Sequence, residues 1–207
     1  VLNRIAKERK ADLQWVNPLP NEWELGISGK IQKENAAVAK GALEALEPLG
    51  WLIDELNIKK GLAHAKWPAR LQIANWQKLP LLIDCAHNPS AAKQLSEERK
   101  LWDQQEAGIN WILGIQAHKE GPQMLQHLIN PYDKAWIVPI PDHFSWTKTQ
   151  LSKACPELSD QLLQADNVEQ VLSKLLLKSS WPNPPPVIAG SLYLVGNLLS
   201  KKLINVE

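Results

Sequence analysis

LPLLIDCAHNPSAAKQL, residues 79–95, is the stretch that decides the fold of this 207-residue chain. Its apolar opening predicts a short buried strand, with Asp84 at the carboxyl end. A helix is predicted behind a tight turn, with Asn88 as its N-cap and Pro89 at its first position. In open α/β sheets ligands bind at the carboxyl edge, and phosphates favour helix N-termini. Asp84 and His87 are therefore the first candidates for a nucleotide site.

Strand-like and helical segments alternate from this stretch to the end of the chain. Such alternation predicts an α/β fold with a mostly parallel sheet that is covered on both faces. Apolar runs predict further strands at 109–114, 134–139 and 186–190. Apolar periodicity predicts helices at 121–129, 148–154, 157–164, 167–178 and 191–203.

The chain before residue 79 has too few predicted strands to close a sheet of its own. It is interpreted as the end of a larger domain, with a boundary at about 75–79. The only methionine is Met124, so Val1 is not a translation start and a longer protein is expected. The predicted elements are a helix running into a strand (2–16), a loop with one short strand (17–29) and helices at 34–50 and 51–62; residues 64–80 show no helical period.

Composition excludes several classes of protein. A net charge of +1 without a basic stripe argues against nucleic acid as a partner. No apolar run is long enough to span a membrane and no signal peptide is present, so a soluble cytoplasmic protein is expected. Two cysteines, Cys85 and Cys155, make neither a disulfide framework nor a zinc site.

Three predicted loops share the carboxyl edge of the sheet, and they hold Asp84, Lys119 and Ser191. Each residue has a plain alternative: a turn or capping aspartate, a solvated lysine and a helix cap. Together at one edge they indicate a cleft. Arg70, in WPAR, precedes the central strand, where an arginine either grips phosphate oxygens with its planar fork or forms a surface ion pair. His87 either donates to a phosphate or is structural.

Known phosphate-binding motifs are absent from the sequence. It contains no G-x-x-x-x-G-K-[ST] loop, no G-x-G-x-x-G and no Ser–His–Asp pattern. His118, beside Lys119, carries no metal-site spacing. The chain alone is therefore not a self-sufficient ATPase, and no catalytic residue or metal ligand is assigned within it.

Five segments together resemble the folylpolyglutamate synthase/dihydrofolate synthase family of the Mur ligase superfamily. The resemblance runs from about residue 20 to 200, and D-G-A-H-N-P with an upstream W-P-x-R distinguishes this family from its Mur relatives. The segments, in the family's order and spacing, are ENAAVAKGALEAL, GLAHAKWPARLQ, LLIDCAHNPSAA, GIQAHKEG and AGSLYLVGN.

The resemblance implies two domains with ATP in the cleft between them. Residues 1–77 would be the end of a Mur-ligase central ATPase domain, an incomplete α/β unit, and 78–207 a Rossmann-like C-terminal domain. Lys119 matches the lysine of the family's G-x-x-x-D-K loop, and with Ser191 it is a candidate for the substrate cleft. The family's ATP-binding positions fall on Asn35, Arg70, Asp84 and His87. Asp84 would hold the nucleotide or orient Arg70, and Asn35 has an N-cap as its plain alternative.

The implied reaction belongs to folate biosynthesis and one-carbon metabolism. A pterin-linked carboxylate, of dihydropteroate or a reduced folate, takes the γ-phosphoryl group of ATP, and L-glutamate displaces phosphate from the acyl phosphate. Mg²⁺ is an implied cofactor, with its ligands expected mainly upstream of Val1, and a monomer is implied. These 207 residues alone are expected to bind ATP weakly and to show no turnover.

The chain departs from the family pattern at three positions. Cys85 and Ala69 replace glycines, which adds a Cβ where the backbone approaches ligand, and His118 replaces an aspartate. These departures favour a catalytically silent α/β nucleotide-binding module as one alternative. A Mur-type ligase acting on a cell-wall precursor is the other, although W-P-x-R and H-N-P favour the folate branch.

Overall fold

The structure of the chain, a computed structural model, describes residues 1–102, 108–177 and 180–206. The chain divides into two compact units, Val1–Lys66 and Trp67–Glu207. This division precedes the predicted boundary at 77/78, because a strand within 67–77 pairs with the central strand and joins its sheet. No helix among these described residues is long and apolar enough to cross a membrane.

The first unit is helical. Its helices are α1 (Leu2–Arg9), α2 (Ile31–Glu44) and α3 (Glu55–His64), with a 3₁₀ turn at Glu47–Leu49. The strands predicted within 2–29 are wrong: residues 10–30, all of which the structure describes, are irregular between α1 and α2. A strand needs a neighbour to pair with, and this unit offers none. Its buried core consists of Leu19, Trp23, Ala36, Ala37 and Ile58.

The second unit is built on one seven-stranded sheet with the order β5-β4-β3-β6-β2-β1-β7. Every pair from β5 to β2 is parallel, and β1 and β7 are added antiparallel at one side. The predicted α/β class and mostly parallel sheet are thereby confirmed. The strands are β1 (Gln72–Trp76), β2 (Leu79–Ile83), β3 (Asn110–Leu113), β4 (Lys134–Ile137), β5 (Leu162–Gln164), β6 (Val187–Ala189) and β7 (Asn205–Val206).

Helices cover both faces of this sheet. One buried cluster contains apolar residues of α4 (Pro89–Arg99), α5 (Gly121–Leu128) and α6 (Lys148–Ala154). The other contains those of α7 (Val168–Leu176) and α8 (Leu192–Ser200). The chain moves outward from β2 to β5 with helices on the first face and returns to β6 through α7 on the second. Crossovers of constant hand require this change of face when the direction reverses.

A β-hairpin joins β1 to β2, although no hairpin-turn motif occurs between them in the sequence. Trp76 pairs with Leu79 across a two-residue turn at Gln77 and Lys78, whose φ angles are 50° and 68°. Two-residue hairpin turns of this kind favour Asn and Gly. Gln-Lys lacks that signature. Residues 64–80 show no helical period and no strand is predicted before Leu79, so β1 is a strand that the sequence pattern did not predict.

The segment predicted as a helix at 157–164 is a 3₁₀ helix followed by an edge strand. The 3₁₀ helix covers Pro156–Gln161, and β5 follows at once. Leu162 is buried in the cluster that also contains residues of α4, α5 and α6. Pairing of this segment with β4 therefore overrides the local helical pattern. The helix predicted at 167–178 is confirmed as α7, except that residue 178 lies outside the described residues.

A buried ion pair fastens α4 to the sheet. The guanidinium of Arg99 grips the carboxylate of Asp133 with both terminal nitrogens, and both side chains are almost fully buried. Asp133 also accepts hydrogen bonds from the backbone N–H of Ile109 at 2.8 Å, the N–H of Asn130 at 2.9 Å and the indole of Trp111 at 3.0 Å. These donors compensate the cost of burying the charge.

Candidate functional site

Asp84 lies where β2 ends, and both of its carboxylate oxygens accept hydrogen bonds from the backbone. Oδ2 accepts from the N–H of Leu71 at 2.9 Å, and Oδ1 accepts from the N–H of Ala86 at 2.7 Å. Its own backbone N–H donates to Ile188 of β6 at 3.0 Å. Asp84 thus joins the loop before β1 to the turn after β2.

Arg70 stands at the centre of that loop, between two residues with left-handed backbone. The φ angles are 60° at Ala69 and 45° at Leu71. The N–H of Ala69 donates to Oε1 of Gln72 at 3.0 Å, and its carbonyl accepts from the N–H of Cys85 at 2.9 Å. The backbone around Arg70 is therefore fixed at three points.

The Arg70 side chain is half-buried, and its guanidinium makes no hydrogen bond or ion pair with the part of the chain that the structure describes. It is nevertheless close enough to Asp84 to stabilise the charged carboxylate. Burial raises the pKa of Asp84, and the N–H groups of Leu71 and Ala86, then Arg70 and His87, oppose that rise.

His87 follows in the same turn. Its Nδ1 lies 2.9 Å from the carbonyl oxygen of Cys85. A carbonyl oxygen can only accept a hydrogen bond, so Nδ1 carries the proton in this bond. The other ring nitrogen, Nε2, takes no part in it. The predicted helix start behind it is confirmed: Asn88 caps α4 by accepting from the N–H of Ala91 at 2.9 Å, and Pro89 opens the helix.

The two departures at Cys85 and Ala69 are accommodated inside the protein. Both side chains are buried, with 1% and 2% exposure, in the cluster on the α7/α8 face. Burial and the nearby Asp84 charge raise the pKa of the Cys85 thiol to about 11. The added Cβ atoms therefore point into the core, and the thiol is no nucleophile at neutral pH.

Lys119 and Ser191 lie on neighbouring loops of the same sheet edge but are held differently. The carbonyl of Lys119 accepts from the indole of Trp146 at 2.9 Å, which fixes the loop, while its ammonium makes no hydrogen bond or ion pair with any described residue. Ser191 is 1% exposed, and its hydroxyl accepts from the N–H groups of Tyr193 and Leu194 at the start of α8. The helix-cap alternative for Ser191 is confirmed, and its hydroxyl faces the helix rather than solvent.

An open cleft of about 540 Å³ adjoins Lys119, between the loops that follow β3 and β4. The ring of His143 packs on Tyr193 at 4.0 Å between centroids, and Phe144 is 93% exposed. Sequence reasoning missed this cleft because its two sides come from loops with no shared motif. The lining residues are Gln116, Ala117, His118, Asp142, His143 and Phe144.

Asn35 belongs to the first unit and lies inside α2 rather than at its start. The helix begins at Ile31, so the N-cap alternative is wrong. Its side-chain amide donates to Oε1 of Gln32 at 3.0 Å. Asn35 is exposed and borders an apolar pocket of about 230 Å³ within this unit, lined also by Leu25, Ile27, Gln32, Ala36, Ala39, Leu62 and Ala65.

No cluster of three or more His, Cys, Asp or Glu side chains suited to a metal ion occurs within residues 1–102, 108–177 and 180–206. The carboxylate nearest the candidate site, Asp84, already accepts two backbone N–H groups. These residues do not fit a complete Mg²⁺ site.

Comparison with known proteins agrees with the sequence and the fold. The model of the family described as dihydrofolate synthetase, C-terminal domain, matches residues 69–201. Folylpolyglutamate synthase of Lacticaseibacillus casei is 30% identical over 178 residues, which are 84% of this chain and 39% of that protein. Dihydrofolate synthetase of Saccharomyces cerevisiae is 27% identical, over 85% of this chain and 45% of that protein. The chain therefore spans less than half the length of these relatives.

Solved structures show the same fold at low sequence identity. E. coli FolC in complex with DHPP and ADP has a TM-score of 0.74 at 21% identity, covering 97% of this chain and 50% of that one. The bifunctional folylpolyglutamate synthase/dihydrofolate synthase of Yersinia pestis, complexed with AMPPNP and a Mn ion, has a TM-score of 0.72 at 20% identity, with the same coverage.

Proposed function

The chain belongs to the folylpolyglutamate synthase/dihydrofolate synthase family, and we propose on this premise that it is the nucleotide-facing C-terminal part of an ATP-dependent ligase. The ligase would add L-glutamate to dihydropteroate or to a reduced folate. The observation that carries the proposal is the Arg70 turn: its backbone is fixed on Asp84, Gln72 and Cys85, and its guanidinium has no partner among the described residues.

The proposed reaction has two steps. The substrate carboxylate attacks the γ-phosphorus of ATP, the bond to the β-phosphate oxygen breaks, and an acyl phosphate and ADP form. The amine of glutamate then attacks the acyl carbon, loses a proton and expels inorganic phosphate. Phosphoryl transfer of this kind depends on positioning and on neutralising charge on the phosphate oxygens.

Arg70 and His87 are the residues of this chain that we assign to the phosphates. The Arg70 guanidinium offers a planar fork that matches phosphate oxygens. Nδ1 of His87 is engaged with the Cys85 carbonyl, so Nε2 would donate to a phosphate oxygen when both ring nitrogens carry a proton. Asn35 is assigned to the nucleotide on family resemblance, supported by its exposure beside an apolar pocket. The described residues do not fit Mg²⁺, so no step is assigned to the ion.

We assign Val1–Lys66 to the end of the ATPase domain. Support comes from its exposed apolar side chains, which a domain with its own complete core would bury. Trp15 is 68% exposed, Leu49 73%, Trp51 66% and Leu52 78%. The rest of the ATPase domain, which would carry the phosphate loop, is the proposed occupant of this surface.

The buried positions of Cys85 and Ala69 support a working ligase over the silent binding module. Both side chains point into the core, so neither obstructs the face on which Arg70 stands. Of the three departures from the family pattern, only His118 is exposed.

The experiment is a chimera in which this chain replaces the matching segment of the Lacticaseibacillus casei folylpolyglutamate synthase. Release of ADP is measured with ATP and a reduced folate or dihydropteroate, with and without L-glutamate. The proposal predicts glutamate-dependent ADP release with at least one pterin substrate, lost when Arg70 is changed to Gln. A chimera that folds and binds ATP but never couples ADP release to glutamate would contradict it. The unmodified relative, assayed in parallel, is the control.

A further inference from the structure

We propose that Lys33 is a positioning residue for the nucleoside end of the site. Its side chain holds the 19–27 segment against α2, and this segment supplies part of the apolar pocket that Asn35 borders. The inference rests on the proposed function, which assigns Asn35 to the nucleotide. It goes beyond that function because no role for Lys33 is implied by the family resemblance.

The ammonium of Lys33 is surrounded by backbone carbonyl groups. Its Nζ donates to the carbonyl oxygens of Trp23 at 2.6 Å, Pro20 at 3.1 Å and Asn21 at 3.4 Å. An ammonium has three donors and no acceptor, so these three carbonyls use its full hydrogen-bonding capacity. Lys33 forms no ion pair with any residue that the structure describes. The ammonium therefore serves to hold the backbone.

The segment that Lys33 holds has no regular structure of its own. Residues 10–30 are irregular, so their backbone polar groups need partners outside a helix or a sheet. The backbone of Lys33 provides a further attachment, because its carbonyl accepts from the N–H of Leu19 at 3.1 Å. Lys33 thus bonds to both ends of the 19–23 stretch. Leu19 and Trp23, at those two ends, are buried in the core of the first unit.

The same segment continues into the pocket of about 230 Å³ that Asn35 borders. Its Leu25 and Ile27 line the pocket together with residues of α2 and the end of α3. Apart from Asn35 and Gln32, the lining residues are apolar. An apolar pocket with a few polar groups is typical of small-molecule sites, and it suits the apolar faces and polar edge of a nucleobase. A displaced 19–27 segment would therefore alter the part of the site that we assign to the base.

The pocket wall, residues 25–27, is attached to both helices of this unit that line the pocket. The N–H of Gly26 donates to the carbonyl of Leu62 in α3 at 2.9 Å. The wall lies so close to the end of α3 that a Cβ at Gly26 would be 2.3 Å from the carbonyl oxygen of Ala65. The attachment to α2 is made through Lys33. Loss of the ammonium would leave the wall bonded mainly to α3, and its distance from α2 would no longer be fixed.

The test compares ATP with inorganic tripolyphosphate as ligands of the 207-residue chain and of its Lys33→Met variant. Methionine is also long and unbranched but has no donor. By calorimetric titration, Lys33→Met should weaken ATP binding about tenfold and tripolyphosphate binding less than about twofold, because tripolyphosphate has no base. A loss that is no larger for ATP than for tripolyphosphate would overturn the inference. Lys60→Met, at an exposed lysine of α3, is the matched control.

Amide hydrogen exchange in the absence of ligand provides a second readout. Lys33→Met should speed exchange at Gly26 and leave exchange at Leu62, within α3, as in the wild type. Unchanged exchange at Gly26 would overturn the inference, and so would faster exchange at both residues, since it would indicate a general loss of stability in the first unit. If the wild-type chain binds neither ligand, the proposed function fails in this chain, and the exchange result alone decides whether Lys33 holds the pocket wall.

Discussion

The carboxylate of Asp84 accepts a hydrogen bond from the backbone N–H of Leu71, 2.9 Å away and 13 residues earlier in the chain. The β1–β2 hairpin makes this contact possible. Because β1 runs antiparallel to β2, Gln72 at its start lies opposite Ile83 at the end of β2. The loop before β1 therefore reaches the carboxyl edge of the parallel strands, where ligands bind in such sheets. Arg70 lies at that edge because β1, the strand that follows it, is antiparallel to β2.

Arg70→Lys should weaken ATP binding about tenfold while leaving the fold intact. Lysine keeps the charge but loses the planar fork that holds two phosphate oxygens. The guanidinium makes no hydrogen bond or ion pair with a described residue, so the midpoint of thermal unfolding should stay within about 2 °C of the wild type. Calorimetric titration and thermal unfolding measure the two effects. Arg9→Lys, on the exposed face of α1, is the matched control, and equal affinity of Arg70→Lys and the wild type would remove Arg70 from the site.

Gly190→Ala should destabilise the second unit by more than about 2 kcal/mol. Gly190 has a φ of 102°, and a Cβ there would lie 2.6 Å from the carbonyl oxygen of Gly114. Both the left-handed strain and the backbone clash oppose alanine. Urea unfolding followed by circular dichroism gives the free energy of unfolding.

Gly196→Ala in α8 is the matched control for that substitution. A Cβ at Gly196 meets no atom within 4 Å, so alanine should stabilise the helix by about 0.5–1 kcal/mol through its higher propensity. Equal effects of the two substitutions would contradict the close approach of β3 and β6 at Gly114 and Gly190.

Asp133→Asn should cost about 3–5 kcal/mol of unfolding free energy, because it removes the buried carboxylate charge that pairs with the Arg99 guanidinium. Asp160→Asn, at the surface, should change stability by less than about 0.5 kcal/mol. Urea unfolding measures both. If Asp133→Asn lowers the free energy of unfolding only slightly, the Asp133 carboxylate does not stabilise the packing of α4 against β3 and the start of β4.

The stability that Asp84 contributes should fall as the pH rises. Its pKa in the folded protein is raised above the ordinary value of 3.8, mainly by burial. A group with a raised pKa contributes its full stability below the unfolded-state pKa and loses it as the pH passes through the folded-state pKa. The free energy of unfolding of the wild type, relative to Asp84→Asn, should therefore decrease above about pH 4. A difference that grows over this range would show that hydrogen bonds outweigh burial at this carboxylate.

Much of the fold could be predicted from local signals. Capping residues and apolar runs act over a few residues, so their effects can be predicted from the sequence. The predicted features that the structure confirms include the buried strand at 79–83, the Asn88 cap and the helix start at Pro89. The strand β1 was not predicted, since its turn uses Gln77 and Lys78 where glycine or asparagine is usual. Edge strand β5 depends on pairing with β4, which local periodicity does not encode.

In the candidate site, the residues could be predicted from the sequence but their contacts could not. Asp84, Arg70 and His87 could be named from their loops and from family resemblance. What Asp84 contacts could not, because its partners are backbone N–H groups brought near by the hairpin. The Arg99–Asp133 pair was missed for a similar reason: the two residues are far apart in sequence and belong to no motif.

The most direct test of the nucleotide assignment is an NMR titration of the ¹⁵N-labelled 207-residue chain with ATP. If Arg70 and the turn after β2 face the phosphates, the largest amide shifts should fall at residues 69–71 and 85–88. The Arg70→Gln variant should lose them. Shifts confined to the loops at 116–119 and 142–145, or no shifts at any ATP concentration, would contradict it.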